Sequence, residues 1–260
     1  MERSSTLKRI RPLPLWQAAF LFGLPAVLLF LSVYCLVPRL IALGLSPYLS
    51  LDVAFLLPFA LLFCLSLVAY ASAGSAWSWA AFRDRFRLGR MGREDWLWTA
   101  GLLTFAGASY LPLRSLLVRL VGRGIVGVPD WVPAILDPRV QQSVGVVMGG
   151  WIRGNWPLAL VSLGTLFFNV AGEELWWRGY ILSRQEAAHG THAWVAHGLL
   201  WTLFHVFKYW EFAALLPGCL AFAYMAQRRE DTWPGIVVHG LLNGLESIYV
   251  LLLVVGAVPP

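Results

Sequence analysis

Charge is what this chain has least of. Only 13% of its residues are Asp, Glu, Lys or Arg, while 58% are hydrophobic and the mean hydropathy is +0.66; soluble domains carry about 25% charged residues. A soluble globular enzyme is excluded. The net charge of +6 reads as membrane topology and attraction to anionic headgroups rather than as a nucleic-acid surface. Cysteine is also scarce. Cys35, Cys64 and Cys219 each sit alone in a different apolar run without any Cys-x-x-Cys spacing. They read as small buried hydrophobes, and neither a disulfide framework nor a thiolate metal site is supported. No His-Glu-x-x-His, internal repeat or low-complexity tract is present, and no run alternates as a barrel strand would.

What is there instead is long apolar stretches. A helix needs about 20 residues to cross ~30 Å of hydrocarbon. The runs Trp16 to Val37, Leu51 to Ala73, Asp95 to Leu113, Pro157 to Leu182 and Trp233 to Val255 reach or approach that length. Trp194 to Tyr209 and Phe212 to Ala226 are shorter and fit as tilted spans. The expectation is an all-α, polytopic transmembrane bundle of about seven to eight spans, because backbone groups in lipid must bond within their own segment. Residues 114–156, with five arginines, interrupting prolines and a half-length apolar piece, read as a re-entrant or interfacial segment or a short extra helix. The whole chain 1–260 reads as one membrane-embedded domain, with 1–156 mainly scaffold and 157–260 carrying the polar residues of a site.

The first run follows Lys8, Arg9 and Arg11, but it exceeds a cleavable signal's apolar core and reads as a retained signal anchor. Basic residues collect at the N-terminus, at Arg83 to Arg93, at Arg184 and at Arg228 and Arg229. Alternation across the spans puts all four clusters on one side, expected to be the cytoplasm. Trp16, Trp96, Trp98, Trp194 and Trp233 suit an interfacial aromatic belt. His189, His192 and His197 have no common ligand face and read as loop and helix-start residues.

Against this background two adjacent acids, Glu173 and Glu174, follow the apolar run Pro157 to Ala171. An ionised carboxylate at membrane depth costs ~2.5–3.5 kcal/mol on insertion scales, so such a residue faces a protein interior or a wet cavity and is functional by default. Glu174 and Arg178 stand four apart and meet on one helix face, whereas Glu173 points about 100° away. Glu174 is the natural partner of Arg178, leaving Glu173 to face something else. His205 lies in the next run with Trp201 one turn earlier. His239 and Asn243 share a face of the last run, with Glu246 one turn further. Interhelical hydrogen bonding alone could employ any one of these groups. Together, a carboxylate, two imidazoles, an amide and an internal ion pair on three membrane helices fit a hydrolytic site with a base, a proton-handling His and oxyanion donors.

Glu173-Glu174-x-x-x-Arg178, Trp201-x-x-x-His205 and His239-x-x-x-Asn243, in this order on apolar helices, resemble the three motifs of the CAAX protease and bacteriocin-processing family. These are intramembrane glutamate proteases that include the type II CAAX prenyl endopeptidases. The resemblance covers roughly residues 157–245. It implies that Glu173 and His205 activate the attacking water, that His239 and Asn243 form the oxyanion hole, and that Glu174 and Arg178 support the first acid. It implies no cofactor, and a membrane-associated peptide or protein substrate, prenylated for the type II CAAX members. Trp201 departs from the Phe usual in the second motif, which points to altered packing or substrate fit rather than lost chemistry. The expected setting is the plasma membrane, with the N-terminus and the active-site opening both toward the cytoplasm. Two other readings stay open: a zinc protease ligated by Glu173, His205 and His239, and a non-catalytic membrane immunity or assembly protein.

Overall fold

The computed structural model describes residues 11–259; Lys8 and Arg9 of the N-terminal basic cluster lie outside them. All regular structure among the described residues is helical. The helices are α1 (Leu15–Ala42), α2 (Pro47–Ser72), α3 (Trp79–Arg85), α4 (Arg93–Gly122), α5 (Val144–Met148), α6 (Trp156–Glu173), α7 (Ser183–His189), α8 (Ala193–Phe204), α9 (Phe212–Arg229) and α10 (Trp233–Val255). A π-helical segment, Glu174–Leu182, joins α6 to α7. Starts are written in the sequence. Ser46, Ser78 and Asn155 each accept a hydrogen bond from the backbone N–H three residues on, at 3.3, 3.2 and 3.2 Å, and Pro47 and Pro157 open their helices without a donor to lose.

Six helical stretches are long and apolar enough to cross a membrane, one of them the 49-residue Trp156–Phe204. Straight, that stretch would be ~74 Å long at 1.5 Å per residue, far beyond a bilayer core. It instead folds back at Gly190, whose φ of +62° suits a residue without Cβ. Gln185 then meets His197, and Glu173 meets Trp201, as two antiparallel arms. Counted as arms, these agree with the seven runs read from sequence.

The basic clusters do share one end of the bundle. Arg87 pairs with Glu186 at 2.6 Å, Arg184 donates to the Arg11 carbonyl, Arg229 pairs with Glu94 and Asp95, and the Thr232 amide donates to the Arg87 carbonyl. At the other end the Gly154 amide donates to the Val254 carbonyl. Arg114 and Arg119 belong to α4, which runs well past the expected end at Leu113. The ambiguous segment is a loop over 123–143, the short α5 and a second loop. It sits at the end opposite the basic clusters.

The core is aromatic and lies around the first turn of the π-helical segment. Phe22 stacks on Trp177 with ring centroids 4.0 Å apart, and Phe204 meets the same indole edge-on at 5.3 Å. Gly172 lets α6 approach α2: a Cβ there would come within 2.5 Å of the Phe59 carbonyl oxygen. Two expectations are corrected. Cys35 and Cys64 are exposed on the outer surfaces of α1 and α2, where a small polarizable side chain costs little against lipid, and only Cys219 is buried. His197 is fully buried within α8, bonded to Gln185, because the fold-back at Gly190 turns it inward.

Candidate functional site

Three helices bring the candidate residues together. Glu173 closes α6, and the backbone then widens into the π-helical Glu174–Leu182; such insertions recur at functional sites because they re-aim side chains within a helix. His205 follows the last residue of α8, and His239 and Asn243 lie on α10. Glu173, His205, His239 and Asn243 all line one cavity of ≈ 900 Å³, with Trp201 in its wall.

Glu173 is held by three N–H donors. Its Oε1 accepts from Asn169 Nδ2 at 2.8 Å, and its Oε2 accepts from the indoles of Trp201 at 2.7 Å and Trp177 at 3.3 Å. A carboxylate offers about four lone-pair positions, so one remains for a group in the cavity. Asn169 Oδ1 in turn accepts from Asn243 Nδ2 at 2.7 Å, which links α6 to α10 and leaves the second amide hydrogen of Asn243 uncommitted to this contact. His205 donates Nδ1–H to the Trp201 carbonyl at 2.8 Å. That bond fixes the tautomer and leaves Nε2 as the acceptor.

Glu174 turns the other way, as the helix spacing requires. Its Oε1 lies 3.1 Å from Arg178 Nη1 and 2.9 Å from His239 Nδ1, and all three groups are buried. Arg178 stacks on the Trp201 ring with its guanidinium carbon 3.5 Å from the centroid, a desolvated cation–π contact worth ~2 kcal/mol or more. Gly235 makes room for the acid: a Cβ there would meet Glu174 Oε2 at 2.6 Å.

Trp201 therefore does more than pack. It donates to Glu173, fixes His205 through its carbonyl and covers Arg178, three tasks of which a Phe could perform only the last two. Asn169 and Trp177 were missed in the sequence, although each stands four residues from Glu173 and so shares its face. Among the described residues no three His, Cys, Asp or Glu side chains gather as metal ligands. In particular, His239 spends Nδ1 on Glu174 and Glu173 is engaged by donors.

The cavity extends toward the end of the bundle away from the basic clusters. Its exposed rim includes Leu111, Ala134, Val140 and Leu245, in the half of the bundle away from Arg11 and Arg184. Glu173 ends an 18-residue helix, and nine π-helical and seven α-helical residues still separate it from Gly190. It thus lies well inside the bundle rather than at the basic end. The first half of the chain also contributes to the wall, through Asp52, Tyr110 and Arg114.

Neither a curated protein nor a solved structure matches the chain. Residues 155–245 match the family model for type II CAAX prenyl endopeptidase, Rce1-like proteins. The part of this integral membrane chain that holds Glu173, His205, His239 and Asn243 is therefore similar to that family, and the resemblance read from the three motifs stands for residues 155–245.

Proposed function

We propose that the chain is an intramembrane endopeptidase in which Glu173 and His205 activate a water for attack on a peptide carbonyl. The observation that carries this reading is the convergence of four motif residues on one cavity, with Glu173 oriented by three donors and His205 held with Nε2 free. Glu173 takes the water proton as the hydroxide adds to the carbonyl carbon, and His205 Nε2 positions that water. The tetrahedral oxyanion accepts from the second Nδ2–H of Asn243 and from His239, whose Nδ1 is held by Glu174 and whose protonated form supplies an Nε2–H. Collapse breaks the C–N bond, and the proton held by Glu173 passes to the leaving amine. Glu174, Arg178 and Trp201 hold these groups in place. No cofactor enters this scheme.

We take 1–260 as one membrane domain, with 1–156 mainly scaffold and 157–260 carrying the chemistry. The substrate class is a membrane-associated peptide or protein, prenylated if the chain follows the type II CAAX members. The plasma membrane is the proposed setting, with the basic end inside by the positive-inside bias and the cavity rim therefore on the opposite side. Detergent-purified protein is tested on a quenched fluorescent farnesylated CAAX peptide with and without a strict chelator. Chelator-resistant cleavage lost in Glu173→Ala and His205→Ala is expected. Cleavage lost to the chelator and restored by Zn²⁺ would replace the mechanism with the metal one.

A further inference from the structure

A second pair of acids faces the cavity above the first. Ser162, Thr165, Asn169 and Glu173 fall at helical spacing along one face of α6, and all line the cavity. Opposite them His239, Asn243 and Glu246 line it from α10. The result is a polar furrow between apolar walls, running from the site toward the rim. Asp52 of α2 enters this furrow where hydroxyls tie three helices together: Tyr48 and Ser162 at 3.0 Å, Ser162 and Ser247 at 3.1 Å. Asp52 and Glu246 are close enough to interact electrostatically.

Neither acid forms a salt bridge, although Lys208 is close enough to Glu246 to interact with it electrostatically. The basic groups nearby, Lys208 and Arg114, pair with Glu211 at 3.4 and 3.2 Å. Among the described residues no Lys, Arg or His comes within salt-bridge distance of Asp52 or Glu246. Asp52 is 9% exposed, and its buried Oδ2 has no hydrogen-bond partner. A carboxylate without a paired cation is costly at this depth, and a positive group entering the cleft between the two acids relieves that cost.

We propose that Asp52 and Glu246 form a subsite for a positively charged group of the substrate, a Lys or Arg side chain or a free terminal ammonium. The spacing sets its register. Seven residues of helix separate His239 from Glu246, ~10 Å at 1.5 Å per residue, which an extended peptide covers in about three residues at ~3.3 Å each. Resting on the endopeptidase reading, the subsite selects substrates whose positive group lies about three residues from the scissile bond.

The field of the subsite is read without catalysis. Cys35, Cys64 and Cys219 are replaced by Ala and a single thiol is introduced as Leu242→Cys on the cavity wall. Its reaction rates with a trimethylammonium and a sulfonate methanethiosulfonate reagent are then compared. Relative to a free thiol, the cationic reagent should be favoured roughly tenfold or more, and Asp52→Asn with Glu246→Gln should remove that preference while the size-exclusion profile stays unchanged. A preference that is absent, or that survives neutralisation, overturns the proposal. In a second arm, quenched peptides carry Lys or norleucine three residues from the cleaved bond, with free or acetylated N-termini. Lys should raise kcat/KM in the parent and not in the neutralised variant; a gain confined to free N-termini identifies the terminal ammonium as the ligand. If the thiol preference holds and no peptide is cleaved, the cation subsite stands and the endopeptidase reading falls.

Discussion

Asn169 is the residue on which the arrangement of the site depends most sharply. It donates to Glu173 at 2.8 Å and accepts from Asn243 at 2.7 Å, so one amide orients both the acid and the proposed oxyanion donor. Replacing it by Leu, similar in size but without polarity, removes both bonds. A hydrogen bond to a charged group contributes about 1.5–3 kcal/mol and a neutral one about 0.5–1.5, giving a loss of roughly 2–4.5 kcal/mol shared between stability and transition-state binding. Since 1.36 kcal/mol is tenfold in rate, Asn169→Leu should lower kcat/KM by ~10- to 10³-fold if even part of the loss falls on the transition state. A double-mutant cycle separates the two bonds. Asn169→Ala and Asn243→Ala should couple by about 0.5–1.5 kcal/mol in thermal or denaturant unfolding in detergent. Asn169→Leu with unchanged melting temperature and unchanged turnover, or a coupling of zero, would refute the chain of bonds from Asn243 to Glu173.

Other outcomes follow from separate parts of the molecule. Gly235→Ala sets a methyl against Glu174 Oε2 and should cost about 1–3 kcal/mol of stability by overpacking, with His239 released and activity lost; a wild-type melting curve with full activity would contradict this. In the loop at the far end, hydrogen bonds from the Arg139 side chain and backbone hold the Asp137 carboxyl below the usual carboxylate range. A depressed carboxylate stabilises the fold above its unfolded value of ~3.9 and loses that contribution as pH falls through its lower folded value. Acid-stable protease should therefore cut the 123–143 loop faster as the pH falls below about 4, and Asp137→Asn should cut at the faster rate throughout; a wild-type rate indifferent to pH would speak against the pair. For topology, Val140→Cys in a background without native cysteines should react with a membrane-impermeant maleimide on intact cells. Labelling only after the membrane is opened would reverse the proposed orientation.

Much of this was legible in the sequence, and the physical reason differs from residue to residue. Contacts within one helix follow from spacing alone: Glu174 meets Arg178 because they stand four apart. The apolar arms were readable because lipid imposes their length. What spacing cannot give is the partner on another helix. That His239 binds Glu174, that the Trp201 indole donates to Glu173, and that Asp52 of the scaffold half reaches the cavity are all products of packing. Asn169 was within reach, an amide four residues before the acid, but a lone Asn in an apolar run gives no sign of what it bonds. The place of Glu173 along its helical arm was not legible because the run containing it continues as helix well beyond its apolar stretch. The outward cysteines show the limit of composition: an apolar run does not say which of its faces meets lipid.

The central claim is that Glu173 is the base, and a single isosteric change tests it most directly. Glu173→Gln keeps the volume and an acceptor oxygen for the indoles but cannot take a proton from water. Its kcat/KM on a peptide cleaved by the wild type, measured beside its melting temperature, should fall by at least ~10²-fold, the lower range for a general base, in a protein that remains folded and elutes as the wild type does. A folded Glu173→Gln that cleaves the peptide within a few-fold of the wild-type rate would contradict the account.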